Sequence, residues 1–248
     1  SCRPRASRLP SPPSSGLART SGTMAKIKLT YFNIEAAAEK ARLALVMTGT
    51  EFEDNRISFD DWKSLKESTP YGQLPLMEVT SEDGTVKTFA QSVAMMRWAA
   101  RKFDTTNTLY PADADAMLDI EEMIGLSDDM ARAWQPALYL GMGRHKNFGH
   151  PEEWAEKDAT VKKLREDFIA EHLPKFMGFF SKKLEATGAF FCGDKPTIAD
   201  LQILAQLRYY TKGVADHVPA DCLAPYTTVT AWMNRMHAIP QIKAWYKL

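Results

Sequence analysis

Pro70-Tyr71-Gly72-Gln73-Leu74-Pro75, running straight into Leu76-Met77-Glu78-Val79, restricts the fold more than any other stretch of the chain. Pro70 fixes φ at the entry to a turn, and Gly72 supplies a conformation that other residues resist. Pro75 cannot donate a ladder hydrogen bond, so the apolar run it opens reads as a strand with the proline at its first residue or on an edge. It also forces Leu74 extended, leaving the Leu74 backbone N–H and C=O free to pair with a strand-like ligand. An X-Pro bond in such a turn is the usual place for a cis peptide.

The segments on either side say what kind of sheet receives this strand. Lys26 to Phe32 alternates apolar and polar residues, as a half-buried first strand does. Glu35 to Thr48 has no Gly or Pro and reads as a helix that stops at Gly49. Phe52 to Ile57 reads as a second strand and Asp60 to Lys66 as a short helical turn. Leu76 to Val79 is then the third strand. Glu82-Asp83-Gly84-Thr85 is a hairpin signal before a fourth strand over Val86 to Phe89. Gln91 to Phe103 reads as a helix with Val93, Met96 and Ala100 on one face. The order β-α-β-α-β-β-α predicts a thioredoxin-like α/β domain over residues 24–104.

Leu109-Tyr110-Pro111 reads as a linker, and the strand signals stop after it. Ala112 to Leu140, Glu152 to Thr187, Thr197 to Thr211, Thr228 to Ala238 and a short stretch after Pro240 are helical, with Pro174 expected to kink or divide the second. Thr197-Ile198-Ala199-Asp200 resembles a capping box with Asp in the Glu position. Residues 112–248 are therefore expected to form an all-α domain.

Residues 1–23 stand apart, with four Arg, four Pro and six Ser but neither Asp nor Glu. That is the composition of a transit peptide, or of an upstream stretch foreign to the fold, and disorder is the expectation. Without its four arginines the remainder has 27 basic against 31 acidic residues, so no global field draws in nucleic acid or an anionic membrane. No apolar run approaches the roughly 20 residues of a membrane span. Cys2, Cys192 and Cys222 form no CxxC pair, which disfavours thiol–disulfide chemistry and suits a cytoplasmic setting, or an organelle if the leader is a real transit peptide. The five histidines have no metal-ligand spacing, and no metal is expected.

Three features converge on one end of the predicted sheet. Tyr31 stands at the carboxyl end of the first strand, where open α/β sheets bind ligands. Leu74-Pro75 presents free backbone groups. Gln91-Ser92 opens a helix whose first-turn N–H groups form a carboxylate site, with Ser92 expected to cap it. A ligand reaching all three is extended and peptide-like, with a carboxylate at Ser92, an amide backbone at Leu74 and a reactive anion beneath Tyr31.

The quoted segments, together with Tyr31-Phe32-Asn33, Glu39-x-x-Arg42, Asp61-Trp62-x-x-x-Lys66, Gln91-Ser92-x-Ala94-x-x-Arg97-Trp98 and Thr197-Ile198-Ala199-Asp200, resemble the cytosolic glutathione S-transferases, nearest the sigma class. The resemblance runs from Lys26 to the carboxyl terminus. It implies a glutathione S-transferase fold, a homodimer, and an enzyme that adds the thiolate of glutathione, its co-substrate, to a hydrophobic electrophile. Tyr31 would hydrogen-bond the sulfur. Trp62, Lys66 and Gln73 would hold the glycine end, with Lys66 paired to its carboxylate. Leu74, ahead of Pro75, would pair with the cysteinyl backbone, and Gln91 and Ser92 would hold the γ-glutamyl carboxylate. Asp129, reaching across from the partner subunit, would meet the γ-glutamyl amine. The electrophile would lie between Tyr31 and the helix carrying Met130, Trp134 and Leu138. One departure stands out: Ala37 occupies the position of an arginine that assists the tyrosine, and Arg42 is too far along the helix to be assumed a substitute. A non-catalytic binding or structural protein of the same fold, or a glutathione-dependent prostaglandin isomerase, are the alternatives.

Overall fold

The computed structural model describes residues 26–248; the expectation for 1–23 lies outside the described residues. Strand β1 (Lys26–Phe32) leads into α1 (Ala36–Met47), β2 (Glu53–Ile57), α2 (Phe59–Leu65) and, after the proline turn, β3 (Leu76–Thr80), β4 (Val86–Phe89) and α3 (Ser92–Phe103). The sheet order is β2-β1-β3-β4, with β1 parallel to β2 and antiparallel to β3. This is the mixed four-stranded sheet of a thioredoxin-like domain.

Local chemistry sets the element ends. Gly49, at φ 65°, closes α1: its N–H bonds Val46 O at 3.1 Å while Thr50 N–H bonds Leu45 O at 3.0 Å, the paired pattern of a Schellman stop. Ser58 and Asp61 cap α2 reciprocally. Gly84, at φ 80°, turns the β3–β4 hairpin, which Ser81 N–H closes onto Thr85 O at 2.9 Å. The Leu74–Pro75 peptide is cis, and Pro75 stands one residue ahead of β3.

The second half is helical: α4 (Ala114–Gly141), α5 (Lys157–Asp167), α6 (Leu173–Thr187), α7 (Ile198–Tyr210), α8 (Thr227–Ala238) and α9 (Pro240–Tyr246). Pro174 divides α5 from α6 without breaking their course. A π-turn over Phe168–His172, closed by Leu173 N–H onto Phe168 O, precedes the proline and accommodates the lost donor and the ring. At the start of α7 the Asp200 carboxylate, fully buried, accepts from Thr197 N at 2.8 Å, Phe191 N at 3.2 Å and the Trp232 indole at 2.9 Å. Satisfied donors on every side are what make a carboxylate there tolerable. Among the described residues no helix is long and apolar enough to cross a membrane.

The two halves share a core. Helix α1 packs on α3 beside the sheet and on α7 and α9 across the junction. Leu109 O accepts from Ile198 N at 2.9 Å, and Glu121 of α4 takes both Arg97 of α3 and the Tyr110 hydroxyl, so the linker is stitched to both halves.

Candidate functional site

Sheet register brings the three predicted features to one edge. Tyr31 and Phe32 end β1, and Thr30 is paired with Leu76, so Leu74-Pro75 runs on opposite the end of β1. Met77 is paired with Phe89, so Gln91, two residues past Phe89, comes level with Pro75. The carboxyl end of β1, the amino end of β3 and the amino end of α3 thus meet. Among the described residues neither the N–H nor the C=O of Leu74 has a hydrogen-bond partner. Trp62 stands edge-on to Phe32 with centroids 6.3 Å apart, and Lys66 Cε comes within 3.8 Å of where a side chain on Gly72 would begin. Gln73 is exposed on the same turn.

At α3 the expectation needs correcting. Ser92 does not cap the helix; it is the first helical residue, and Gln91 holds the cap position at φ 73° and ψ 96° with no side-chain cap bond. Such a φ is strained for a non-glycine residue. The consequence for binding is favourable, since no side chain claims the first-turn N–H groups and no acidic residue stands in that turn.

Tyr31 is 8% exposed, with its ring against Phe32. Burial raises its phenol above the usual tyrosine value, opposed in part by the charge of nearby Arg42. The hydroxyl is therefore a protonated donor at neutral pH. Arg42 is the residue that linear distance along the helix concealed. It is fully buried, with its guanidinium carbon 5.8 Å from the Tyr31 ring centroid, and is fixed by Asp54 at 2.8 Å and Glu39 at 3.1 Å. From the helical half, Tyr139 and Arg144 also act on the phenol, and the Arg144 guanidinium lies 5.2 Å from the Tyr139 ring centroid. Both were missed, because nothing in a helix's own pattern tells which residue near its end turns toward another domain.

The helix residues named beside the electrophile take the commoner role of apolar residues at helical spacing, as core. Met130 and Trp134 are buried, Trp134 within an aromatic cluster with Phe168, Tyr209 and Tyr210, and Leu138 packs against the same core. Asp129 is not at this chain's own Tyr31. It is exposed, paired with Arg132, and lines a groove of about 790 Å³ between α4 and α6, beside Leu126, Phe179 and Lys183. Its neighbour Asp128 instead accepts from Gln202 at 2.8 Å. On the opposite domain Tyr71 is 67% exposed. The Cys192 thiol is pushed by burial, and by nearby Asp200, up to about 12, which makes it a poor nucleophile.

Comparison with known proteins gives the family of the chain. Residues 27–101 match the family model "Glutathione S-transferase, N-terminal domain" and residues 151–247 match "Glutathione S-transferase, C-terminal domain". The chain is 34% identical over 186 residues to a glutathione S-transferase class-mu 28 kDa isozyme of Schistosoma japonicum, across 75% of this chain and 81% of that one. Its fold is similar to prostaglandin synthase D of Nilaparvata lugens, with a TM-score of 0.72 and 28% identity over 90% of this chain and 97% of the other. It is similar also to a glutathione S-transferase of Necator americanus described as monomeric, with a TM-score of 0.66 and 28% identity over 90% and 96%.

Proposed function

The chain belongs to the glutathione S-transferase family, whose co-substrate is glutathione, and on that premise we propose that it conjugates glutathione to hydrophobic electrophiles in the manner of the sigma class. The observation that carries this reading is the convergence of a protonated Tyr31 hydroxyl, a free Leu74 backbone and an uncapped α3 amino terminus on one sheet edge. Glutathione fits these groups in turn. Its γ-glutamyl carboxylate takes the α3 N–H groups with Gln91 and Ser92. Its cysteinyl amide pairs with Leu74 ahead of Pro75, and its glycine carboxylate pairs with Lys66 beside Trp62 and Gln73. The sulfur lies under Tyr31.

In the reaction the thiol gives its proton to solvent, and the thiolate, holding a hydrogen bond from Tyr31, attacks an electrophilic carbon. With an aryl halide the new C–S bond forms as halide departs with its bonding pair. A free thiol near pKa 8.5 is mostly protonated at neutral pH, so stabilising the anion is the main contribution required of the protein. Tyr139 and Arg144 supply a wall for the electrophile from the helical half.

The groove between α4 and α6 and the exposed Tyr71 speak for a homodimer in which Tyr71 of each copy enters the groove of the other. That brings Asp129 of the second copy toward the γ-glutamyl amine. The non-catalytic alternative rests on Ala37, and the fully buried Arg42, 5.8 Å from the Tyr31 ring centroid, speaks against it by keeping a cation beside the phenol. Purified protein is expected to bind glutathione and to release halide from an aryl halide well above the buffer rate. Binding without turnover above buffer would leave a glutathione-binding protein in place of a transferase.

A further inference from the structure

The last helix of the chain reaches the strand end that carries Tyr31. Arg42 of α1 donates from Nη1 to Ile34 O at 2.8 Å and to Glu35 O at 3.3 Å, so it holds the turn that follows β1. Its guanidinium carbon lies 5.8 Å from the Tyr31 ring centroid, within the reach of cation–aromatic attraction. Arg42 is fully buried, and its Nη2 has no hydrogen-bond partner among the described residues. A buried guanidinium is tolerable only when paired, and the partners fix where it points: Asp54 at 2.8 Å and the fully buried Glu39 at 3.1 Å. Glu39 is held in turn. Its other oxygen accepts the indole N–H of Trp245 in α9 at 2.8 Å, a bond between residues 206 apart in sequence. Trp245 packs against Phe52, with ring centroids 5.9 Å apart. The ring centroid of the next residue, Tyr246, lies 3.5 Å from the guanidinium carbon of Arg208, which forks onto the Glu35 carboxylate at 3.0 and 3.1 Å. Two adjacent side chains of α9 thus reach the same turn by separate routes.

We propose that Trp245 and Glu39 are positioning residues for Tyr31, through which α9 sets where Arg42 lies against the phenol ring and the turn behind it. This rests on reading Tyr31 as the group that stabilises the thiolate. A cation kept near the ring favours the negative charge that builds on the phenol oxygen as its hydroxyl donates, so a well-held Arg42 makes Tyr31 a stronger donor to sulfur. Trp245 and Glu39 touch no substrate; they act through Arg42. Without the indole N–H, the Glu39 carboxylate is free to turn, and Arg42 loses a fixed partner.

Trp245→Phe removes the indole N–H, keeps an aromatic ring beside Phe52 and leaves every charge in place, so a change at Tyr31 reports a change in the position of Arg42. Two readouts need no glutathione: hydrogen exchange at Arg42 Nε, and fluorine titration of Tyr31 in protein made with 3-fluorotyrosine, assigned with Tyr31→Phe. Arg42 Nε should exchange about tenfold faster, and the Tyr31 phenol should titrate about half a unit higher. In turnover, kcat/KM should fall about two- to threefold on the acidic side of its pH profile while KM for glutathione changes less than about twofold. Phe52→Leu, which disturbs the packing of the same indole but spares its N–H, should lower Tm and leave the Tyr31 titration where it is. If Trp245→Phe does not fold, benzothienylalanine in place of Trp245, which has the shape of tryptophan without the N–H, gives the same readings. An unmoved Tyr31 titration in Trp245→Phe, or an equal shift in Phe52→Leu, would overturn the positioning role, whatever happens to thermal stability. The expected shifts in a protein whose wild type forms no glutathione thiolate would uphold the positioning role and remove the transferase reading instead.

Discussion

Replacing Tyr31 with Phe removes one hydroxyl and little else. The ring keeps its edge contact with Phe32 at 5.4 Å and its position beside Arg42 at 5.8 Å, so no cavity opens. Bound glutathione loses a hydrogen bond to an anion, worth about 1.5–3 kcal/mol, which corresponds to a rise of about one to two units in the thiol pKa. The loss is therefore pH-dependent. Below both thiol pKa values the variant holds roughly ten- to a hundredfold less thiolate, and kcat/KM with an aryl halide falls by that factor. Well above the variant's pKa the two rates converge. The alkaline limb of stability carries the opposite signature. Burial raises the folded-state pKa of Tyr31, so the folded wild type holds this proton more tightly than the unfolded chain. That contribution is complete below about pH 10 and is lost as pH rises through the folded value, a loss the Phe variant escapes. Steady-state pH profiles from about pH 6 to 9, with thermal melts extended above pH 10, read both effects. A rate loss that stays constant across the neutral range would refute the thiolate argument, since the hydroxyl would then be acting on the electrophile or on folding alone.

Ser92→Ala should weaken glutathione binding by about 1.5–3 kcal/mol in calorimetry, with Tm nearly unchanged because Ser92 makes no cap bond; a loss under about 0.5 kcal/mol would remove Ser92 from the carboxylate site. Asp200→Asn turns an acceptor-only carboxylate into an amide whose NH2 must face the N–H groups of Phe191, Thr197 or Trp232. It should cost about 2–4 kcal/mol in denaturant melts, and a variant as stable as wild type would contradict the satisfied-carboxylate account. Tyr71→Glu should halve the sedimenting mass by placing a charge in the groove between α4 and α6; an unchanged dimer would put the interface elsewhere.

Much of this was written locally. The Gly49 stop, the hairpin at Gly84, the proline-led third strand and the alternation of Lys26 to Phe32 are effects of φ preference, missing donors and side-chain period, and each appears where the sequence predicts it. The family motifs extended that legibility to the site, because Tyr31, Leu74 and Gln91 mark element ends and sheet register then brings the ends together. Spacing alone does not orient one helix against another. Met130 and Trp134 read as core more readily than as pocket wall, and the packing of α4 against its neighbours does turn them inward. Ser92 looked like a cap by residue type, yet Gln91 takes that position in a strained conformation that the surrounding structure sustains.

The sequence by itself thus determined the order of elements, their ends and the candidate site residues standing at those ends, because these depend on interactions a few residues apart. Tertiary structure decided that Arg42 reaches the Tyr31 ring and that Glu35 is gripped by Arg208 from far along the chain. The physical reason is that charge and hydrogen bonding act over a few ångströms, and no local pattern encodes which distant side chain the packing of helices will bring within that reach.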